Sequence, residues 1–534
     1  MNPECFPITV VPGLTAIFKD YCAGESSVRA WYGATPRSRG WQQTQLVHTP
    51  AHRAELTNIL ATQNPAFEAA LDHLRQGANV VVTGQQVGVL AGPLFTAHKA
   101  ATAIALASQA TNSGHSHLPL FWLATEDHDF AEINHVTFPV RRSLAKLTYA
   151  NAPANAVPVG SLILDESITP LIDQAWELLG YSDAMEWLAA AYRPGQTLAQ
   201  AFAAFYRNVF SAQGLLVLDA AGREIHQLGA PVLQAAIERA DELHAALIER
   251  NREIIAAGYH AQVAVAERGS LLFLIDEQTG ARNALKRTPA TPAEPAGLWQ
   301  AGRKTLSTDE LLAILAAEPE RISPSALLRP IFQDQILPTT AYIGGPAEIA
   351  YFAQSAVLYE RILGRLTPVL PRLSATLVEP AIAELIDRHE LTLETILSST
   401  EESLAQRLAA RAMPIAGKQR IAAAGNALDD ELTALTTYMG SVDEGLGRSA
   451  HVSASKMRYQ MNRLRRMAAN FELQKEASLA RHAEAVTNAL HPHAGLQERT
   501  IGAAYFLARY GNGLVESLIT EAGDGCPGHK LIRL

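Results

Sequence analysis

The 534-residue chain has three cysteines, no long uncharged apolar run and no excess of basic residues, and each lack removes a class of protein. Cys5, Cys22 and Cys526 make no CxxC pair and no zinc-ligand spacing. Neither a disulfide framework nor a structural zinc site is expected, and a reducing compartment is the simplest reading. The Ala-rich run 100–110 is too short to span a bilayer, and residues 1–19 lack a basic stretch followed by an apolar one. A soluble, cytoplasmic protein is therefore expected. Lys+Arg 44 against Asp+Glu 53 gives a net charge of −9, which excludes a global field that would draw in nucleic acid or anionic membrane.

What is present is a chain too long for one hydrophobic core. Nearly continuous apolar runs at 80–83, 120–124, 215–219, 340–343 and 367–370 alternate with helical patterns. Strands buried on both faces of a parallel sheet read this way, so an α/β, doubly wound core is predicted over 1–140, 211–257 and 323–379. The long gaps predict two inserted lobes. One, 141–210, carries helices at 172–179 and 198–210. The other, 258–322, carries a hairpin of 260–266 with 271–275 and then a Thr/Pro/Ala-rich stretch, 287–297.

From 380 to 492 the strand signals vanish. Leu428, Leu432, Leu435, Met439, Val442 and Leu446 are spaced four and three apart, as are Met457, Met461, Leu464, Ala468 and Phe471, then Leu479, Ala483, Val486 and Leu490. This is an a/d seam. Gly440, Gly445 and Gly447 separate the first two series and predict an antiparallel helical hairpin, whose narrow stripe predicts a homodimer through the arm. Segment 493–534 then returns to the core through a helix over 496–519.

In a parallel sheet, ligands bind beyond the carboxyl ends of the strands. The first strand leads into Thr83, Gly84, Gln85 and Gln86, and then Gly92, Thr96, His98 and Lys99. Glycines admit a ligand close to the backbone, amides and hydroxyls hydrogen-bond it, and the next helix start with His98 and Lys99 favours an anion. The plainer reading is tight turns with surface glutamines, and neither Walker nor GxGxxG spacing is present. The second strand ends in Glu126, Asp127, His128 and Asp129, an imidazole among carboxylates suited to general-base work or metal ligation. The plainer reading there is an acidic helix start capped by Asp129. After the fourth strand, Gly344 and Gly345 open a helix with Glu348 in its first turn, where it serves either a substrate ammonium or the helix dipole. Asp219 and Arg372 close the other two strands.

Segment 83–99 reads TGQQxGxxxGPxxTxHK, 121–135 reads FWxxxEDHDFxEINH, 329–354 reads RPxxQDxxLPTxAYxGGPxEIAYFAQ, and 495–499 reads GLQER. Together they resemble the bacillithiol biosynthesis cysteine-adding enzymes, a cysteine ligase family, over essentially the whole chain. The resemblance implies a Rossmann-like core similar to class I aminoacyl-tRNA synthetases, two connective-peptide insertions and a coiled coil that dimerises. It also implies an amide-forming ligase that joins L-cysteine, through its carboxyl, to the amine of glucosaminyl-malate. Thr96-Ala97-His98-Lys99 only partly matches the HIGH signature of those synthetases and no KMSKS loop is present. ATP is thus a candidate cofactor whose use stays open, and no metal is expected.

On this reading His98, Lys99 and the 84–92 backbone hold an activating phosphate. His128, oriented by Asp127 or Asp129, takes the proton from the glucosamine ammonium, and Glu126 and Glu348 hold cationic amino groups. The competing classes are another ATP-dependent ligase or nucleotidyltransferase of the same fold, a metal-dependent hydrolase using His128, Asp127 and Asp129 with His115 or His117, and a nucleic-acid-binding scaffold carried by Lys456, Arg458, Arg463, Arg465 and Arg466. Cys526 and His529 add two candidate metal ligands near the C-terminus.

Overall fold

The computed structural model describes residues 4–46, 48–140, 143–288, 297–475 and 477–534. The chain divides into a core unit, made of residues up to 140, 144–376 and 498–532, and a helical unit centred on 377–497. Among the described residues no helix is long and apolar enough to cross a membrane.

Seven strands position the site: β1 (Asn79–Gln85), β2 (His117–Leu123), β3 (Leu216–Asp219), β4 (Gly269–Ile275), β5 (Arg282–Arg287), β6 (Thr339–Gly344) and β7 (Val369–Pro371). Five of them form one parallel sheet in the order β7-β6-β1-β2-β3. The order reverses between β1 and β6, which is the switch point of a doubly wound sheet. Strand β2 and strand β6 are buried at every residue, which is why they read as unbroken apolar runs. Helix α1 (Phe95–Asn112) follows β1, and α2 (Pro346–Ile362) follows β6. The alanines at 97, 100, 101, 103, 107 and 110 in α1 are buried and let it lie close on the sheet.

The first insertion contains Ile168–Leu179, Asp183–Ala191 and Leu198–Val209, in line with the two helices expected there. The second departs from expectation. Strand β4 pairs with β5, not with 260–266, in a five-stranded antiparallel sheet. The reason is local. Asp276 accepts hydrogen bonds from Gln278, Thr279 and the Thr279 hydroxyl and builds the β4–β5 turn. The backbone N–H and carbonyl of Val263 are instead paired with the Gln354 side-chain amide, at 2.9 Å on both sides. Most of the Thr/Pro/Ala-rich stretch, 289–296, lies outside the described residues.

In the helical unit, α3 (Ile415–Val442) and α4 (Glu444–Lys475) form the expected hairpin. Asp443 makes the turn and accepts the Leu446 N–H. A Cβ on Gly447 would stand 2.7 Å from the Gly440 Cα, so two of the glycines serve close approach of the helices. Leu432 is buried, but Leu435, Val442, Leu446, Met457, Leu464 and Phe471 are exposed.

The C-terminal segment returns through α5 (Ala503–Gly523), which packs on α1 in the core unit. His529, Lys530 and Leu531 then pair antiparallel with Phe6, Cys5 and Glu4. This register brings the ends together and joins Cys5 to Cys526 in a disulfide, against the expectation of three unpaired cysteines. Cys22 remains a buried free thiol.

Candidate active site

At the switch point the turns after β1 and β6 open beside each other around a cavity of about 270 Å³. Gly84 faces the Tyr342 hydroxyl, where a Cβ would stand 3.0 Å away, so a larger residue would push into the β6 end of the cavity. Of the residues expected from the first turn, Gly84, Gln85, Gln86 and Lys99 line the cavity. Thr83 does not, because its hydroxyl ties β1 to β6 through Ile343 O at 3.0 Å. Beyond Gln86 the loop turns inward. Val87, Val89, Leu90 and Ala91 are buried, and Leu90, Ala91 and Gly92 have positive φ. Tyr192 from the first insertion donates to Gly88 O and accepts the Ala91 N–H, while Tyr206 donates to Ala91 O. These tyrosines clamp the loop and occupy backbone groups that the sequence reading had offered to a phosphate. Gly92 and Thr96 are held inside this packing, away from the cavity.

Lys99 spends its three N–H groups inside the protein, on Gly84 O at 2.6 Å, Gln85 Oε1 at 3.0 Å and Glu348 Oε2 at 2.5 Å. Burial pushes its pKa down and Glu348 opposes that push. Glu348 also accepts from the Tyr342 hydroxyl at 2.6 Å and the Gly345 N–H at 2.7 Å. It is a neutralised capping carboxylate, so the expected role of holding a substrate ammonium does not fit its contacts. Gly344 ends β6, and Gly345 forms part of the cavity wall.

His98 is fully buried and faces away from the cavity. Its Nδ1 lies 3.2 Å from Glu498 Oε2, and Glu498 also holds Arg372 at 2.6 and 2.9 Å and accepts the Ala375 N–H. Burial would raise Glu498, yet Arg372 and His98 hold it well below the usual carboxylate range. The effect is to fix Arg372, whose guanidinium reaches the cavity wall.

The acidic cluster after β2 disperses. Glu126 is buried with Oε1 2.9 Å from His226 Nε2, so it supports the core and reaches no substrate. Asp129 is exposed and caps the helix Phe130–Ile133 through the Glu132 N–H, the plainer of its two readings. Asp127 alone faces the cavity, accepting from Gln86 Nε2 and the His128 N–H at 2.7 Å each. Burial would raise it, but the Arg329 guanidinium and these donors outweigh burial and hold it below its ordinary value. His128 lies in an adjoining cavity of about 360 Å³, which shares Asp127, Ala326 and Arg329 with the first. The metal-hydrolase ligand set is not assembled, because His117 bonds Thr340 and Asp129 is committed to its cap.

The structure adds Trp122, Glu132, Arg329, Tyr342, Tyr351 and Arg499 to the cavity wall and brings in Arg372 from the end of β7. Burial, with Asp129 and Asp127, pushes the Glu132 carboxyl up. Burial and Arg372 push Arg499 down. Three buried N–H donors, Trp122 Nε1, Arg329 Nε and Arg372 Nε, have no partner among the described residues. These residues lie within the four quoted motifs or at a strand end, and motif membership was the sequence signal for most of them.

The family model described as bacillithiol biosynthesis BshC, N-terminal Rossmann-like domain, matches residues 1–373, and the BshC C-terminal coiled-coil domain matches 375–534. The chain belongs to the bacillithiol biosynthesis BshC family. Among its BshC relatives, the "Putative cysteine ligase BshC" of Koribacter versatilis (strain Ellin345) is 40% identical over 543 residues, covering 100% of both chains. The protein of the same name from Solibacter usitatus (strain Ellin6076) is 33% identical, again covering 100% of both. That of Salinibacter ruber (strain DSM 13855 / M31) is 31% identical over 97% of this chain and 96% of its own.

Proposed function

We propose that this chain is the cysteine ligase of bacillithiol biosynthesis and that it joins the carboxyl of L-cysteine to the amine of glucosaminyl-malate as an amide. The observation that carries the reading is the switch-point cavity. Its wall sets Arg329, Arg372 and Arg499 beside Asp127 and Glu132. Guanidinium groups have only donors, and carboxylates and phosphates are acceptor-only groups. Both proposed substrates carry carboxylates and an ammonium. Arg329 and Arg499 fit the former, Arg372 being neutralised by Glu498, and Asp127 and Glu132 fit the latter.

ATP is the proposed activator of the cysteine carboxyl, with its phosphates at the same arginines. Lys99 acts by holding the Gly84 and Gly345 turns together, not by donating to substrate. Glu132, whose raised pKa suits a proton acceptor better than Asp127, takes the proton from the amine. The purified protein with cysteine, glucosaminyl-malate and ATP should yield a thiol product of the summed mass less water. Each omission should abolish it, and product formed without ATP would remove ATP from the scheme. Arg329→Gln should lower kcat/KM by about 100-fold, in the range for a lost charged contact at a buried site.

We also propose a homodimer through the α3–α4 hairpin. The support is its exposed apolar stripe, in which Met457, Leu464 and Phe471 are each more than half exposed. Light scattering on the wild type and on Leu464→Asp tests it, with a dimer mass expected for the first and a monomer mass for the second.

A further inference from the structure

The ring of His128 has one hydrogen-bond partner among the described residues. Arg282 Nη1 lies 3.3 Å from His128 Nδ1. A guanidinium has only donors, so Nδ1 must accept, and in a neutral imidazole the proton then sits on Nε2. The competing partner is Asp127, but its Oδ1 is 3.8 Å from Nδ1, beyond hydrogen-bond range, and already takes the His128 backbone N–H.

Arg282 is built to hold that geometry. It projects from β5 of the second insertion and is buried, with its guanidinium 3.8 Å from the centre of the Phe273 ring. Nε donates to Ser323 Oγ and Nη2 to Pro324 O, each at 2.9 Å. Burial, and then Arg329, push its pKa down to about 10, which leaves it charged at neutral pH. The His128 ring, about one-third exposed, faces the 360 Å³ cavity, and Nε2 has no partner among the described residues.

We propose that Arg282 is a positioning residue that holds His128 as a neutral Nε2–H donor, and that His128 serves the ligation by donating to the carbonyl oxygen under attack where its cavity meets the switch-point cavity at Asp127, Ala326 and Arg329. This departs from the expectation that His128 takes the amine proton, since neither ring nitrogen then has a free lone pair. The amine nitrogen forms the C–N bond, and the bond from the carbonyl carbon to its leaving oxygen breaks with its electron pair on that oxygen. The proton lost from nitrogen passes to a cavity carboxylate. Charge builds on the carbonyl oxygen during attack, and a fixed donor there stabilises the transition state more than the ground state. The donor role rests on the ligase reading above; the tautomer does not.

Two measurements on the full chain test this. In 15N-histidine-labelled protein, His128, assigned by its loss in His128→Gln, should show a protonated Nε2 and an unprotonated Nδ1. Arg282→Met should give a tautomer mixture. A protonated Nδ1 in the wild type overturns the proposal whatever the reaction. In the product assay, His128→Ala should lower kcat about 10²–10³-fold, the usual loss for one such donor. His128→Gln retains an N–H donor but no base and should stay within about tenfold of wild type. Arg282→Met should lower kcat with little change in KM, and Arg282→Lys should regain part of it. Equal inactivity of the Gln and Ala variants overturns the donor role. Absence of product from wild type is a failure of the ligase reading, and the tautomer measurement then decides the positioning claim alone.

Discussion

Removing the Glu498 carboxylate should be among the most destabilising single changes in the core unit. Its side chain and that of Arg372 are each only 2% exposed, and the two make a bidentate pair at 2.6 and 2.9 Å. Glu498 also satisfies the Ala375 N–H and His98 Nδ1. Glu498→Ala therefore leaves a guanidinium buried without its counter-ion and two further donors unpaired. Breaking one side of a buried pair in this way costs about 3–5 kcal/mol. Replacing both partners by apolar residues, Arg372→Met with Glu498→Leu, should cost less than Glu498→Ala alone, because no charge is stranded.

The readout can be confined to the right unit. All six tryptophans, at 31, 41, 122, 176, 187 and 299, belong to the core unit, so urea unfolding followed by tryptophan fluorescence reports on it. The pH dependence has a definite sign. Glu498 is held well below its ordinary 4.5, so its contribution is present above that value and is lost only as pH falls through the lowered folded pKa. The loss in Glu498→Ala should therefore be the same at pH 6 and pH 8. A loss below about 1 kcal/mol, or a double variant weaker than the single, would refute the reasoning, since both follow from the stranded charge.

Three further outcomes follow from the same unit. Burial pushes His529 down to about 4 from 6.5, between the Ser374 and Thr376 hydroxyls, so core stability should fall as pH drops from 6.5 towards 4, on the order of 3 kcal/mol; His529→Gln should flatten that slope in the fluorescence assay. Reducing the Cys5–Cys526 disulfide should lower core stability by about 2–4 kcal/mol, and Cys5→Ser should show the same loss without responding to reductant. Gly345 has φ −82°, which alanine accepts, but the new Cβ would lie 3.3 Å from Glu348 Oε2 and 3.5 Å from Arg372 Nε; Gly345→Ala should cut kcat/KM at least about tenfold with a near-normal unfolding curve.

The strands of the parallel sheet were legible because burial on both faces leaves a short apolar run, and glycine, proline or acidic turns bound it. Strand β5 was not. Arg282 and Leu285 are buried while Lys286 and Ala284 are open, so the strand shows no alternation and reads as a charged stretch. The helical hairpin was legible from its glycines and its four-three spacing. The disulfide was hidden because its cysteines are 521 residues apart and meet only through the pairing of the two chain ends.

The site divides along the same line. Glycine turns at strand ends are local and were found. The cavity cations come one each from helix α1, the region before β6, the end of β7 and the segment before α5, and a single arginine in each place carries no pattern of its own. The cluster from Glu126 to Asp129 shows why adjacency misleads at a turn. Successive side chains there point in different directions, so Glu126 goes to His226, Asp127 to Gln86 and Asp129 to its own helix. The group that meets the His128 ring is Arg282, 154 residues away on an insertion, with the opposite charge to that which its sequence neighbours suggested. A histidine flanked by acids in sequence is thus held as a donor by a base in space, and its chemistry follows the spatial partner.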